Sequence, residues 1–305
     1  MRVFVTGATG YIGGSVAVAL AKQGAQVTGL TRTEQGAQAL EDAGITPMVG
    51  RLDEGGILGS AVSAVDAVIN AANADHARSA QALLAALDGT GKKLIHTSGS
   101  SIVGTEAMGQ AVDDVFDEET PFTPTTLRAG RVALNLEILS SKVFKTHPVV
   151  IAPSMIYGAG HYGGRESMQV PWLIELALSH GVAKHLGPGA NIWSTVHIDD
   201  VVDLFLKALE SAPAGAFYWA EAAEISMREI CVAINKMLGV DHPPLEMTLE
   251  EAAAVWGEMP ARATMGSNSR VRAVRARDEL GWVPSGPTIS DEIETGHYAR
   301  KWGAP

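Results

Sequence analysis

The chain opens on a short apolar strand, Val3-Phe4-Val5, that runs directly into three glycines spaced three apart, Gly7, Gly10 and Gly13, and then into a helix containing Ser15 to Ala21. Glycines at a strand-to-helix turn let backbone approach a pyrophosphate, and the helix N-terminus adds free N–H groups and the positive end of its dipole. The alternative is a tight turn whose glycines serve packing alone; the strand before and the amphipathic helix after favour the phosphate loop. On that reading Gly7, Thr9, Gly10, Tyr11, Ile12 and Gly13 contact a dinucleotide.

Past the turn, strand and helix signals keep alternating. Short β-branched runs at 2–6, 26–31, 45–49, 66–70, 93–97 and 148–152 are separated by Ala/Leu-rich stretches near 11–23, 34–43, 57–63, 75–88 and 125–145. That alternation predicts an α/β fold, a doubly wound parallel Rossmann sheet covered by helices. Beyond residue 153, glycine, proline and aromatics cluster in YGAGHYGG (157–164) and LGPGANIW (186–193), with helical patterns at 170–180, 199–211 and 226–238. We expect residues 1–155 to form the dinucleotide-binding domain, with 194–220 returning to it. Residues 156–193 and 221–305 then form a smaller C-terminal substrate-binding region, in which 240–262 reads as a surface excursion.

Specificity between dinucleotides is set at the end of the second strand, where a carboxylate binds ribose hydroxyls and a basic group favours a 2′-phosphate. Here Thr31, Arg32 and Thr33 precede the first carboxylate, Glu34, so the cofactor expected is NADP(H). The alternative is an exposed loop arginine.

In these motifs the chain resembles the short-chain dehydrogenase/reductase superfamily, in its extended or atypical, epimerase-like branch. TGATGYIG (6–13) is similar to the extended-type TGxxGxxG, and Gly50-Arg51-Leu52-Asp53 stands where the family has an adenine-contacting GDLxD. The run Val68 to Ala72 looks like the strand end that lies over the cofactor. HTSGS (96–100), ETPFTP (119–124), PSMIYG (153–158), VHIDD (196–200) and LGWVP (280–284) come in the family's order. The resemblance implies cofactor contacts from Leu52, Ala71, Ala72 and Pro153, and a homodimer paired through the helices near 75–88 and 125–145. Arg51 replaces the usual aspartate.

The resemblance also implies a catalytic tyrosine, a lysine four residues later and a serine or threonine. The five tyrosines, Tyr11, Tyr157, Tyr162, Tyr218 and Tyr298, are followed at the fourth position by Ser15, His161, Glu166, Ala222 and Trp302, so YxxxK is absent. The family's tyrosine falls near Arg128 and its lysine near Val132, while the usual hydroxyl falls on Gly99, between Ser98 and Ser100. Substitutes for the missing chemistry are Tyr157, His161, Ser98, Ser100 and Arg128. Tyr157 reads as a wall of the cofactor pocket or a proton donor, and His161 as a pocket residue or part of a solvated loop. Arg128 reads as an ordinary first-turn arginine, a cation that lowers a tyrosine pKa, or a binder of a substrate carboxylate.

Other features read more simply. A formal charge of −11 argues against nucleic acid or anionic membrane as partner, and no apolar run reaches the length of a membrane span. The start, a strand and a turn, does not read as a signal peptide. The single cysteine, Cys231, reads as a buried thiol in a reducing, cytoplasmic setting. No metal site is expected: there is no HExxH, and Asp113, Asp114, Asp117, Glu118 and Glu119 read as a solvated loop. Arg270, Arg272, Arg275 and Arg277, interleaved with inward-pointing Val271, Val274 and Leu280, read as a solvated helix face. His197 reads as structural, with Asp199 as a helix cap, and Trp172, Trp193 and Trp219 as either cavity lining or core.

Three functions fit. The first is an NADPH-dependent reductase of a small, apolar or aromatic carbonyl or related unsaturated substrate, with a nonstandard proton donor. The second is an epimerase- or dehydratase-like enzyme that retains NADP, which the missing tyrosine disfavours because it needs a reversible base. The third is a noncatalytic NADP(H) sensor.

Overall fold

In the computed structural model, residues 1–303 are described. The strands run in chain order β1 (Arg2–Thr6), β2 (Gln26–Thr31), β3 (Thr46–Val49), β4 (Ala67–Asn70), β5 (Lys93–Thr97), β6 (Thr105–Glu106), β7 (His147–Pro153), β8 (Met155–Tyr157), β9 (Lys184–Leu186), β10 (Ile192–His197), β11 (Ala216–Ala220) and β12 (Ala223–Ser226), followed by the short strands β13 (Leu245–Met247) and β14 (Ser267–Asn268). The helices that matter here are α1 (Tyr11–Lys22), α2 (Glu34–Asp42), α3 (Gly55–Ala64), α4 (Ala77–Leu87), α5 (Thr126–Ser140), α6 (Gln169–His180), α7 (Ile198–Ser211) and α8 (Met227–Met237).

Seven strands form one sheet in the order β3-β2-β1-β4-β5-β7-β11, and every neighbouring pair is parallel. The chain winds outward from β1 in both directions, so the strand order reverses between β1 and β4, and a crevice opens there at the carboxyl ends. Alternation along each strand feeds two cores. Val3, Val5 and Ile69 face α1 and α7, while Phe4, Val68 and Leu94 face α3, α4 and α5. The doubly wound sheet expected from the βα rhythm is the one observed, and its six expected strands move by no more than one residue at either end.

The seventh strand, β11, lies outside the six expected ones, and the return to the sheet differs from expectation. β10 (Ile192–His197) joins a small sheet, antiparallel to β12 and parallel to β8, while its Val196 already packs in the main core that α7 and β11 then complete. Nor is 240–262 a loose excursion. Leu245–Met247 pairs with β9, and Met247, Ala252 and Ala261 bury against Leu176 and Leu186. The small sheet and α6, α8 and the helices Ile289–Glu294 and His297–Trp302 share a second core that holds Cys231 fully buried.

Candidate functional site

The glycine turn sits at the strand reversal, and its geometry explains each glycine. Gly7 has φ +71°, and a Cβ there would lie 2.5 Å from the carbonyl oxygen of Ala71 at the end of β4. A Cβ on Gly13 would meet the Gly7 oxygen at 2.4 Å. Gly10 caps α1 with extended backbone and no side chain over the helix end. The first-turn N–H groups of α1 therefore have no partner within the helix and face the crevice uncovered. This cradle fits the phosphates of a dinucleotide. Thr9 is half-buried in the same turn, and the Tyr11 hydroxyl donates to the Gly158 carbonyl at 2.8 Å.

At the far end of the crevice Thr31 is buried at the end of β2, and Arg32 follows it exposed. Leu52 packs half-buried against the core containing Phe4, whereas Arg51 turns outward to Asp53 at 3.2 Å.

A cleft of about 600 Å³ extends from the turn. Gly10, Tyr11 and Ile12 meet Ala71 and Ala72 on one side, and Ser98 to Ser101, Arg128, Arg131, Pro153, Ser154 and Ile156 continue it. Glu166 to Gln169, Trp193 and Thr264 close the other side. The serines differ in their freedom. Ser98 Oγ accepts from Asn135 Nδ2 at 2.8 Å, which leaves its own proton for an acceptor in the cleft. Ser100 is tied down, because the Ser269 hydroxyl donates to its carbonyl at 2.9 Å and lies 2.8 Å from its Oγ.

The two arginines on α5 also differ. Arg131 grips Asp75 through two nitrogens at 2.7 and 2.5 Å and reaches Ser101 Oγ at 3.2 Å. Arg128 is half-buried beside it with no hydrogen-bond or ion-pair partner among the described residues. Burial and the neighbouring Arg131 charge lower its pKa. Val132, near the position of the family's lysine, packs against the core.

Below this rim a buried polar row crosses three strands. Thr6 Oγ1 donates to Asn70 Oδ1 at 2.6 Å, and Asn70 Nδ2 then lies 3.0 Å from His96 Nδ1. With the amide in this orientation Asn70 Nδ2 donates to His96 Nδ1, and the ring is neutral. Burial, with help from Arg131, pulls its pKa down to about 4.

Two of the expected catalytic residues do not reach the cleft. Pairing of β8 with β10 turns Ile156 toward it and Tyr157 away, and the Tyr157 hydroxyl donates to the Pro287 carbonyl at 2.8 Å. Burial raises the Tyr157 pKa further from any physiological role as an acid. His161 lies beyond α1, its Nε2 2.6 Å from Asp199 and its backbone N–H donating to Ser15 Oγ. Asp199 is thus the partner of His161, and the cap of α7 is His197, whose Nδ1 accepts from the Asp199 N–H at 3.3 Å.

The remaining expectations sort by long-range packing. Trp193 lines the cleft, Trp172 lines a separate groove with Trp256, and Trp219 is buried in the main core. The arginine segment is not a solvated helix face. Arg270 and Arg272 bind Glu224, Arg277 binds Glu221, and Arg275 pairs with Glu119. Helix Val274–Leu280 is short, and Val274 is exposed. In the acidic loop Glu118 is half-buried and accepts from the backbone N–H groups of Trp219 and Arg275. Among the described residues no cluster of potential metal ligands occurs, and no helix is long and apolar enough to cross a membrane.

Sequence reasoning missed Arg131, Asn135, Ser154, Ile156, Glu166, Met168 and Thr264. Glu166 is held by His297 Nε2 at 2.5 Å and by Lys301, so a helix far along the chain shapes the cleft wall. Only Ser154 and Ile156, inside the quoted PSMIYG, carried any sequence signal.

Sheet order, glycine turn and a cleft at the strand reversal define a Rossmann-type α/β protein. Comparison with known proteins narrows this class. The model of the NAD dependent epimerase/dehydratase family matches residues 3–218. An uncharacterised protein of Schizosaccharomyces pombe is 31% identical over 311 residues, spanning 98% of this chain and 100% of its own. The chain belongs to the NAD dependent epimerase/dehydratase family, as the resemblance to extended short-chain dehydrogenase/reductases implied. A 4-hydroxy-2-methyl-3-oxo-4-farnesyl-3,4-dihydroquinoline-1-oxide ketoreductase of Stigmatella aurantiaca is 27% identical over 295 residues, 90% of this chain and 85% of that one. A dTDP-glucose 4,6-dehydratase of Bacillus anthracis, solved in complex with NAD, shares the fold with a TM-score of 0.80 at 18% identity, covering 99% of this chain and 97% of that one.

Proposed function

We propose that this protein is an NADP(H)-dependent oxidoreductase acting on a small, apolar or aromatic carbonyl or related unsaturated compound. The dinucleotide supplies the hydride. Residues 1–155, with the return through α7 and β11, hold it: Gly7, Gly10 and Gly13 admit its phosphates, Arg32 takes the 2′-phosphate, and Pro153, Ala71 and Ala72 wall the crevice. The observation that carries the reading is Ser98, whose Oγ accepts from Asn135 and keeps its own proton for the cleft. In that arrangement Ser98 donates a hydrogen bond to the oxygen on which negative charge develops. Arg128 and Arg131 add positive charge at the same rim, and the proton that completes the alcohol comes from solvent. Ile156, Met168 and Trp193 give the substrate an apolar wall.

An epimerase- or dehydratase-type reaction needs a group that takes and returns a proton. Glu166 is the one carboxylate lining the cleft among the described residues, and His297 and Lys301 already engage it. This favours the reductase. The test is incubation with 4-deuterated NADPH and a panel of aldehydes, ketones, imines and enones, with products read by mass spectrometry. Deuterium in a product is the expected result; tight NADPH binding without label would favour the retained-cofactor enzyme or the sensor.

We also propose a homodimer through α4 and α5, where Leu136 on α5 and Val143 and Phe144 in the turn that follows it stand exposed. The lone buried thiol suits a reducing, cytoplasmic setting.

A further inference from the structure

Arg128 is an unusual residue for its place. A half-buried guanidinium costs free energy unless an anion meets it, and the other half-buried arginines among the described residues each have a carboxylate while Arg128 does not. Arg131, three residues on, has Asp75 and Ser101. Glu166 across the cleft has His297 and Lys301. The arginines at 270, 272, 275 and 277 all have carboxylates. Arg128 alone among the cleft's charged groups has no partner among the described residues, on a chain whose net charge of −11 offers carboxylates in excess.

Its position separates it from the phosphate turn. Besides the main cleft, Arg128 lines a small recess with Ser101, Gly104, Glu106, Ala263 and Ser267, where the Glu106 carboxylate is 3.7 Å from Arg262 and makes no hydrogen bond or ion pair with Arg128. The turn at Gly10 has its own helix end for phosphates. An anion at Arg128 therefore belongs to the second ligand of the cleft.

We propose that Arg128 is the specificity-determining residue for a substrate carboxylate, so that the substrate class is a carbonyl compound bearing a carboxylate. The claim rests on the reductase reading for the carbonyl and on Arg128 alone for the carboxylate. The carboxylate is gripped by the planar fork of Arg128, the carbonyl oxygen takes the Ser98 hydrogen bond, and the rest lies along Ile156, Met168 and Trp193.

The test is binding, so it stands apart from hydride transfer. Benzoate, benzamide and NADP+ are titrated calorimetrically into the intact protein, into Arg128→Gln and into Arg128→Lys, the first two ligands with and without saturating NADP+. Benzoate is expected to bind in the millimolar range, with benzamide at least about tenfold weaker. Arg128→Gln is expected to lose about tenfold or more for benzoate and little for NADP+, and Arg128→Lys to keep part of the affinity. Equal binding of benzoate and benzamide, no benzoate binding, or unchanged benzoate binding in Arg128→Gln would each overturn the proposal. Loss of NADP+ affinity in Arg128→Gln with benzoate unaffected would assign Arg128 to the dinucleotide and overturn it too. Carboxylate binding without deuterium transfer would leave this assignment standing and remove the reductase reading.

Discussion

Asn135 and Ser98 meet at 2.8 Å with the amide as donor and the hydroxyl oxygen as acceptor, and both residues are buried. Because Asn135 lies on α5 and Ser98 just past β5, the contact fixes the rotor of one hydroxyl at the cleft. Once a substrate is identified, Ser98→Ala is expected to lower kcat about a hundredfold with dinucleotide affinity unchanged. Asn135→Leu should lower kcat less, since the hydroxyl remains but is no longer oriented; stopped-flow rates and NADPH titration on both variants would check this.

Gly7 offers no room for a side chain. Gly7→Ala would combine positive φ with a Cβ pressed against the Ala71 carbonyl. The backbone term alone costs about 1–2 kcal/mol. The expected outcome is a lower melting temperature and a loss of NADPH binding of about tenfold or more, read by thermal unfolding and fluorescence titration.

Arg32→Ala should remove the preference for the 2′-phosphate. The Kd ratio of NADH to NADPH is expected to fall about tenfold, while NADH affinity itself changes little. An unchanged ratio would return Arg32 to the exposed loop arginines.

Burial holds His96 neutral, with a pKa of about 4 in the folded protein against an ordinary value of 6.5. The unfolded chain binds this proton more readily, so acidification favours unfolding through the window between those values. The stability from keeping the ring neutral is present above pH 6.5 and is lost as pH falls toward 4. For this group the loss between pH 7 and pH 5 is about 2 kcal/mol. Urea denaturation at the two pH values, on the native chain and on His96→Gln, isolates it as the difference between the two slopes.

Light scattering is expected to give twice the chain mass at micromolar concentration. Leu136→Glu combined with Phe144→Glu should give a monomer, since both side chains are exposed on the proposed face. A monomeric native protein would remove the dimer.

Local signals carried much of the fold. The βα rhythm and the glycine turn are written in consecutive residues, and both expectations for the sheet and the turn agree with the structure. The site was less legible because strand phase and distant contacts build it. Tyr157 and Ile156 are neighbours in sequence, and the β8 pairing with β10 decides which one faces the cleft. The arginines at 270–277 look solvated because Glu221, Glu224 and Glu119 lie far away in sequence. Thr264 and Glu166 enter the cleft by tertiary packing that no periodicity announces.

Gly158 is clasped from both directions: its carbonyl accepts from Tyr11, and its N–H donates to the Tyr298 hydroxyl at 3.1 Å. Tyr298 shares its short helix with His297 and Lys301, which hold Glu166. During synthesis the glycine turn leaves the ribosome first, and the strands around it can pair while translation continues. The wall facing it must wait for nearly three hundred residues to emerge. The two sides of the cleft are therefore separated in time by the order of the polypeptide itself, and the last helix of the chain completes a wall whose facing turn was made first.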